Sequence, residues 1–191
     1  MTFRLKPVAE IALMTAVSAV LFAQFFLLND WLFKGLEHVK GVNWIFLPAG
    51  FRVLLVLVMG LPGALGIMLA TCWLDRATFD LELFWLPIVT GLISGFTPLC
   101  IKLILEKRRI LAAQLQNLTA SGLLQFVLFY AAANALAHEM LWFFAKSRTD
   151  IVPWIDVWPM FVGDAIGALA ILYALKLALP LLLRHLPAHK H

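Results

Sequence analysis

The sequence predicts an all-α integral membrane protein, a polytopic bundle of about six transmembrane helices. Hydrophobic residues make up 63% of the 191 residues and charged residues 14%, and the mean hydropathy is +0.93. Soluble domains are only about half apolar. The stretches between the apolar runs are at most about 15 to 20 residues long, too short for a core of their own. We therefore treat 1–191 as a single integral membrane domain.

The apolar runs give six predicted spans. In chain order they are 8–28, 44–59, 64–74, 84–105, 119–144 and 155–183. The third is short, since about 11 to 14 residues at 1.5 Å each reach at most roughly 20 Å of a 30 Å hydrocarbon core. It is either a short span sheltered by its neighbours or a re-entrant half-helix. We favour the span, because the charge pattern then agrees with six crossings.

Charge placement predicts the orientation. Basic residues cluster at 4–6, 107–109 and 184–190, whereas the loops at 29–42, 75–83 and 146–156 are mixed or acidic. The positive-inside rule then puts both termini in the cytoplasm of a bacterial-type cell, with the protein in its inner membrane. Segment 29–42, with its charges and aromatic residues, is expected to lie along the outer interface as an amphipathic stretch.

The same charges argue against nucleic acid as a partner, although the formal net charge is +4. They stand at helix ends, where they set topology, and form no continuous basic face. The expected partners are the lipid bilayer and another membrane or cytoplasmic protein. Any effect of this chain in the cytoplasm would come through that second protein. No metal-ligand spacing, nucleophile and base pattern or phosphate loop is present, so neither a metal site nor an enzyme is expected.

Five polar residues lie inside the apolar runs at similar depth. Counted from the outer ends of their runs, Arg52, His138 and Asp164 lie roughly 10 to 12 Å below the outer surface. Asn134 lies one turn from His138 on the same helix face, whereas Glu139 points about 100° away. Polar groups at membrane depth are costly and mark functional sites. We therefore predict a polar cluster of these five residues.

Two interpretations of this cluster remain open. Arg52 needs a partner at that depth, and Asp164 is the acid at comparable depth in another run, so we predict that the two are in contact. The cluster is then either an internal network that fixes helix packing, or a pocket open to the outside. In the pocket, Arg52 would meet an anionic group of a small ligand, and Asp164 or His138 would meet a donor.

Residues 135–142, Ala-Leu-Ala-His-Glu-Met-Leu-Trp, offer a further alternative. This setting is similar to that of transmembrane histidines that ligate chlorophyll-type pigments. Pigment ligation through His138 is therefore kept as an option, and no other cofactor is expected.

Two segments carry a family likeness. Trp44-Ile-Phe-Leu-Pro-Ala-Gly50 and the Gly-Asp-Ala-Ile-Gly run at 163–167 resemble the opening and closing motifs of the bacterial membrane-associated sensor domains of the first MASE class. That family usually has more spans and a fused cytoplasmic signalling enzyme, so the chain resembles a short stand-alone form. The resemblance implies a sensory role and carries over these positions: Trp44, Pro48, Gly50, Gly60, Gly163, Asp164 and Gly167.

A looser likeness is to the substrate-binding membrane subunits of energy-coupling-factor transporters. These are similar in size, with six spans and small residues on the first helix. Three functions therefore follow as expectations. The first is a non-enzymatic, sensor-like or accessory module that binds a small ligand or a partner. The second is a substrate-binding subunit of a small-solute transporter, and the third is a structural subunit of a larger membrane complex.

Overall fold

The computed structural model describes residues 5–39, 42–78, 83–113, 117–145 and 152–184. The predicted basic tail at 185–191 and parts of the predicted loops, 79–82 and 146–151, lie outside these residues. Within them the chain forms helices and one small β-ribbon, which confirms the helical fold. The elements are α1 Leu5–Phe33, β1 Glu37–Val39, β2 Val42–Asn43, α2 Pro48–Met59, α3 Leu61–Leu74, α4 Leu86–Lys107, α5 Ala120–Ala145 and α6 Pro153–Arg184.

Four of the described helices, α1, α4, α5 and α6, are long and apolar enough to cross a membrane. The helices α2 and α3 have 12 and 14 residues, or about 18 and 21 Å at 1.5 Å per residue. Each is shorter than a 30 Å hydrocarbon core. The predicted six crossings are therefore found only as four full-length helices and one pair of short ones.

Local sequence explains why this pair is short. Helix α2 begins at Pro48 rather than at the predicted Trp44, because proline suits the first turn of a helix, where its missing N–H is not needed. The amide of Leu47, just before α2, donates to Asn29 Oδ1 of α1 at 2.9 Å. Helix α2 ends at Gly60, whose φ of +60° reverses the chain into α3.

The predicted interfacial segment at 29–42 begins inside α1 and is not one continuous stretch. Helix α1 continues to Phe33, a single 3₁₀ turn covers Lys34–Leu36, and the chain then forms the antiparallel ribbon of β1 and β2. The ribbon packs against α6. We call the end of the bundle that carries it the ribbon end. Helices α1, α3 and α5 end there, and α2, α4 and α6 begin there.

Helix α2 lies in the middle of the bundle. It packs against α1, α3, α4 and α6, while α5 packs between α4 and α6. Seven of its twelve residues are buried, including Arg52. Arg52 therefore lies on a face of this helix that is enclosed by protein.

The α3–α4 contact depends on close approach at Gly95. A Cβ there would collide with the backbone oxygen of Ala64 and lie 3.1 Å from the Met68 nitrogen. Backbone atoms cannot move aside as a flexible side chain can, so the two helices would have to separate.

We predict that Gly95→Ala lowers the free energy of unfolding by about 1–3 kcal/mol, the usual cost of overpacking. Helix propensity alone would favour the alanine, so a loss is diagnostic. Thermal unfolding in detergent measures the change. Gly35→Ala, at a glycine with nothing within 4 Å of the added Cβ, is the control. Equal unfolding temperatures for the two variants would contradict the close contact.

Candidate functional site

The Arg52 side chain is 4% exposed and lies near the start of α2. Its guanidinium lies 5.2 Å from the centre of the Phe22 ring and 5.1 Å from that of Phe46. Nη1 donates to the Tyr130 hydroxyl and Nη2 to Ser94 Oγ, both at 3.3 Å. The cation is thus held by two aromatic rings and two neutral hydroxyls from four segments of the chain.

A hydrogen-bonded chain continues from Ser94. His138 Nδ1 lies 2.9 Å from the backbone oxygen of Asn134, which can only accept, so Nδ1 carries a hydrogen. In the neutral ring Nε2 is then an acceptor, and Ser94 Oγ donates to it at 3.3 Å. The Asn134 amide donates from Nδ2 to Asp164 Oδ2 at 2.6 Å. The network joins α2, α4, α5 and α6.

The predicted contact between Arg52 and Asp164 is not formed as a direct pair. Among the described residues, Arg52 takes part in no ion pair with an N to O distance of 4.0 Å or less. Its hydrogen bonds go to hydroxyls, and Asp164 accepts from Asn134 instead. Both residues line one internal space.

That space is a cavity of about 100 Å³ beneath the ribbon end. Three of the predicted cluster residues line it: Arg52, His138 and Asp164. Asn134 lies behind Asp164, and Glu139 is fully buried but is not among the described lining residues. The other lining residues are Phe26, Asn43, Phe46, Thr71, Leu74, Asp75, Thr90, Ser94, Trp142 and Met160.

Three buried polar atoms around the cavity have no hydrogen-bond partner. They are Arg52 Nε, Thr71 Oγ1 and Asn134 Oδ1. An unmet buried donor or acceptor costs about 1–3 kcal/mol, so most native interiors avoid it. A cavity needs only about 10–15 Å³ to hold one water molecule, so this one has room for several waters or for one small polar ligand.

The two segments that carry the family likeness contact each other. The amide of Phe46 donates to the Gly163 oxygen at 3.1 Å. A Cβ at Gly163 would collide with the Asn43 oxygen, and one at Gly167 with the Phe46 oxygen. A Cβ at Gly50 would lie 2.8 Å from the Gly167 oxygen. These three glycines let α6 approach α2 and the loop before it, which brings Asp164 to the cavity that Arg52 also lines.

The remaining motif residues act outside the cavity. Pro48 starts α2 and Gly60 ends it. Trp44 is 42% exposed, and its ring meets that of His38 edge-on with centroids 5.8 Å apart. His38 Nε2 lies 3.0 Å from Asp156 Oδ1, so the ribbon is held to the start of α6 next to the cavity.

Sequence reasoning missed the direct partners of Arg52. Tyr130 precedes Asn134 by one helical turn, so a search for polar residues at i±4 from the predicted cluster would have found it. Ser94 lies on a helix that carries no member of the predicted cluster, so the same search would have missed it. No such signal exists for Phe22 and Phe46, which look like ordinary core residues.

The geometry does not fit the pigment option. Both ring nitrogens of His138 are engaged, and the side chain is 2% exposed inside the bundle. The cavity is also smaller than the 300 Å³ at which drug-sized ligand sites begin. The residues that the structure describes contain no group of three or more His, Cys, Asp or Glu side chains that could hold a metal ion.

We predict that Asn134→Ala lowers the free energy of unfolding by about 1.5–3 kcal/mol, the range for a hydrogen bond to an ionised group, because it removes the donor to the buried Asp164 carboxyl. Gln125→Ala is the matched control on α5. That amide bonds to Ser121 in an exposed pair, so its loss should change stability by less than about 0.5 kcal/mol. Thermal unfolding in detergent compares the two, and a similar small loss in both would argue against the Asn134–Asp164 bond.

Comparison with known protein families, with curated proteins and with solved structures finds no match to this chain. The family likenesses therefore rest on the quoted residues alone. The function has to be inferred from the chemistry of the site.

Proposed function

We propose that this chain is a non-enzymatic, sensor-like membrane module that binds a small ligand in the cavity and acts through another protein. The observation that carries the proposal is the buried Arg52 guanidinium, which takes part in none of the ion pairs of the described residues and lines a polar cavity. A buried cation without a counter-charge in contact is costly. A ligand with an anionic group would supply that contact.

The hydrogen-bonded network supports a signalling role. Groups on α2, α4, α5 and α6 meet within it, so a ligand at Arg52 would change the contacts of several helices together. A ligand shifts an equilibrium only if it binds two arrangements unequally. Arg52 can exchange its hydroxyl partners for a ligand oxygen, which would provide that difference.

The hydrogen bond between Ser94 and His138 has the residue types of a hydrolytic pair. Ser94 is 0% exposed, however, and its oxygen already accepts from Arg52. A substrate carbonyl could not reach that oxygen without movement of the helices, and this burial supports a binding role rather than catalysis.

The second candidate is the substrate-binding subunit of a small-solute transporter. It is favoured by the position of the cavity beneath one end of the bundle, where a solute from that side would enter. Uptake of a solute by cells that express the chain with a partner would distinguish this role from sensing.

For the topology, we infer that α2 and α3 form a re-entrant hairpin that enters from the ribbon end. Gly95 packs against Ala64 and Met68, and this register sets Gly60 opposite residues 99–101 of α4. Helix α4 continues to Lys107, about six to eight residues or 9–12 Å further. Four crossings and a hairpin keep both termini on one side, which is the cytoplasmic side of a bacterial inner membrane by the positive-inside rule.

We predict that Leu61→Cys, next to the hairpin turn, resists an impermeant maleimide from both sides of the membrane. Lys107→Cys should react only when the cytoplasmic side is exposed. Both are made in a Cys72→Ala, Cys100→Ala background, which removes the two native thiols. Reaction of the residue-61 thiol from the cytoplasmic side would favour two full crossings instead, and reaction at 107 from outside intact cells would reverse the topology.

The proposed function predicts a small molecule that stays with the chain through purification in mild detergent. Arg52→Gln should lower its occupancy about tenfold or more, since a charge-assisted hydrogen bond is worth about 1.5–3 kcal/mol. Native mass spectrometry measures the occupancy and detects any partner protein.

The control is Arg76→Gln, which makes the same change at an exposed arginine that bonds to the Trp73 oxygen. Occupancy that falls equally in both variants, or no bound molecule in the unaltered protein, would contradict the proposal. A stoichiometric protein partner without a ligand would favour the structural-subunit role.

A further inference from the structure

We propose that the ligand is a small zwitterion, with its carboxylate at Arg52 and its ammonium group at Asp164. This inference rests on the proposed ligand-binding function and adds the chemical class of the ligand. It follows from three properties of the cavity: an arginine and an aspartate in its wall that form no ion pair with each other, unmet donors at Arg52 and Thr71, and a small volume.

The charges decide the class. Arg52 and Asp164 line the same cavity but form no ion pair with each other among the described residues. A second acid, Asp75, also lines it and already has an interaction partner. A simple anion at Arg52 would be repelled by Asp164, and a simple cation at Asp164 would be repelled by Arg52. A molecule with both charges meets an opposite charge at each end. Complementary charge at both ends also rejects singly charged competitors.

Two unmet hydrogen-bonding groups suit a carboxylate. Arg52 Nε and Thr71 Oγ1 are buried without a partner, and both residues line the cavity. Guanidinium and hydroxyl groups can donate to both oxygens of a carboxylate. Asp164 is an acceptor when ionised and suits the N–H groups of an ammonium.

The volume restricts the size of the ligand. The cavity of about 100 Å³ is well below the roughly 300 to 1,000 Å³ of sites for drug-sized ligands. Its apolar walls include Phe46 and Met160, which leave room for a short carbon skeleton between the charges. The smallest amino acids match this size and charge pattern.

The test uses the purified full chain in detergent, with thermal unfolding followed against ligand concentration. Glycine and L-alanine are the zwitterionic probes, acetate is the matched anion and methylammonium the matched cation. Apparent affinity follows from the concentration dependence of the unfolding temperature. We expect glycine or L-alanine to bind at least about tenfold more tightly than acetate or methylammonium.

One variant tests whether the Asp164 carboxylate binds the zwitterion, and a second serves as its control. Asp164→Asn keeps an oxygen that can accept from Asn134 and removes the charge, so zwitterion affinity should fall to that of acetate. Lys107→Gln, at an exposed residue at the far end of α4, should leave all four affinities unchanged. Should Asp164→Asn not fold, the comparison of the four probes on the unaltered chain still tests the inference.

Acetate or methylammonium that binds as tightly as the zwitterions would overturn the inference. So would a chain that binds none of the four probes but carries another small molecule that Arg52→Gln removes. In that case the ligand-binding function stands and only the class is wrong. Absence of any bound molecule or probe would contradict both the ligand-binding function and the zwitterionic class of the ligand.

Discussion

The Arg52 guanidinium lies between two aromatic rings and two hydroxyls at the centre of the bundle, and most other features follow from it. A cation at this position needs neighbours on every side, and α1, α4, α5 and the loop before α2 each supply one. The network that starts at its second contact, Ser94, runs on to Asp164 of α6. The charge on the central helix thus fixes which faces of the outer helices meet.

Hydropathy was enough to predict the long helices, because crossing a bilayer demands about 20 apolar residues whatever the neighbours are. It also places the break between the second and third runs, since α2 ends at Met59 and the chain reverses at Gly60. The start of the second span is wrong, because the apolar count extends it back to Trp44, before the proline that starts the helix. Whether a short apolar helix crosses depends on what shelters it, which is a property of the bundle and not of the segment.

The candidate site was predictable to a similar degree. Counting residues from the helix ends brought Arg52, His138 and Asp164 to one level, because their helices all start or end at the ribbon end. Which atoms pair at that level depends on helix rotation. The sequence therefore predicts an Arg52–Asp164 bond. In the structure the Arg52 guanidinium donates to Ser94 and Tyr130 instead, and both charged residues line a cavity. The glycines at 163 and 167 bring Asp164 to that cavity through backbone contacts that no hydropathy pattern contains.

A network whose only role is packing would be expected to satisfy its own polar groups, since each unmet one costs about 1–3 kcal/mol. Here Arg52 Nε, Thr71 Oγ1 and Asn134 Oδ1 are unmet beside an internal space. Water could bind such groups, but it is neutral and cannot supply the negative counter-charge that a buried guanidinium needs in contact with it. The separation of Arg52 from Asp164 is therefore the property that favours a charged ligand over trapped solvent. A direct ion pair between Arg52 and Asp164 would have left no reason to infer a charged ligand.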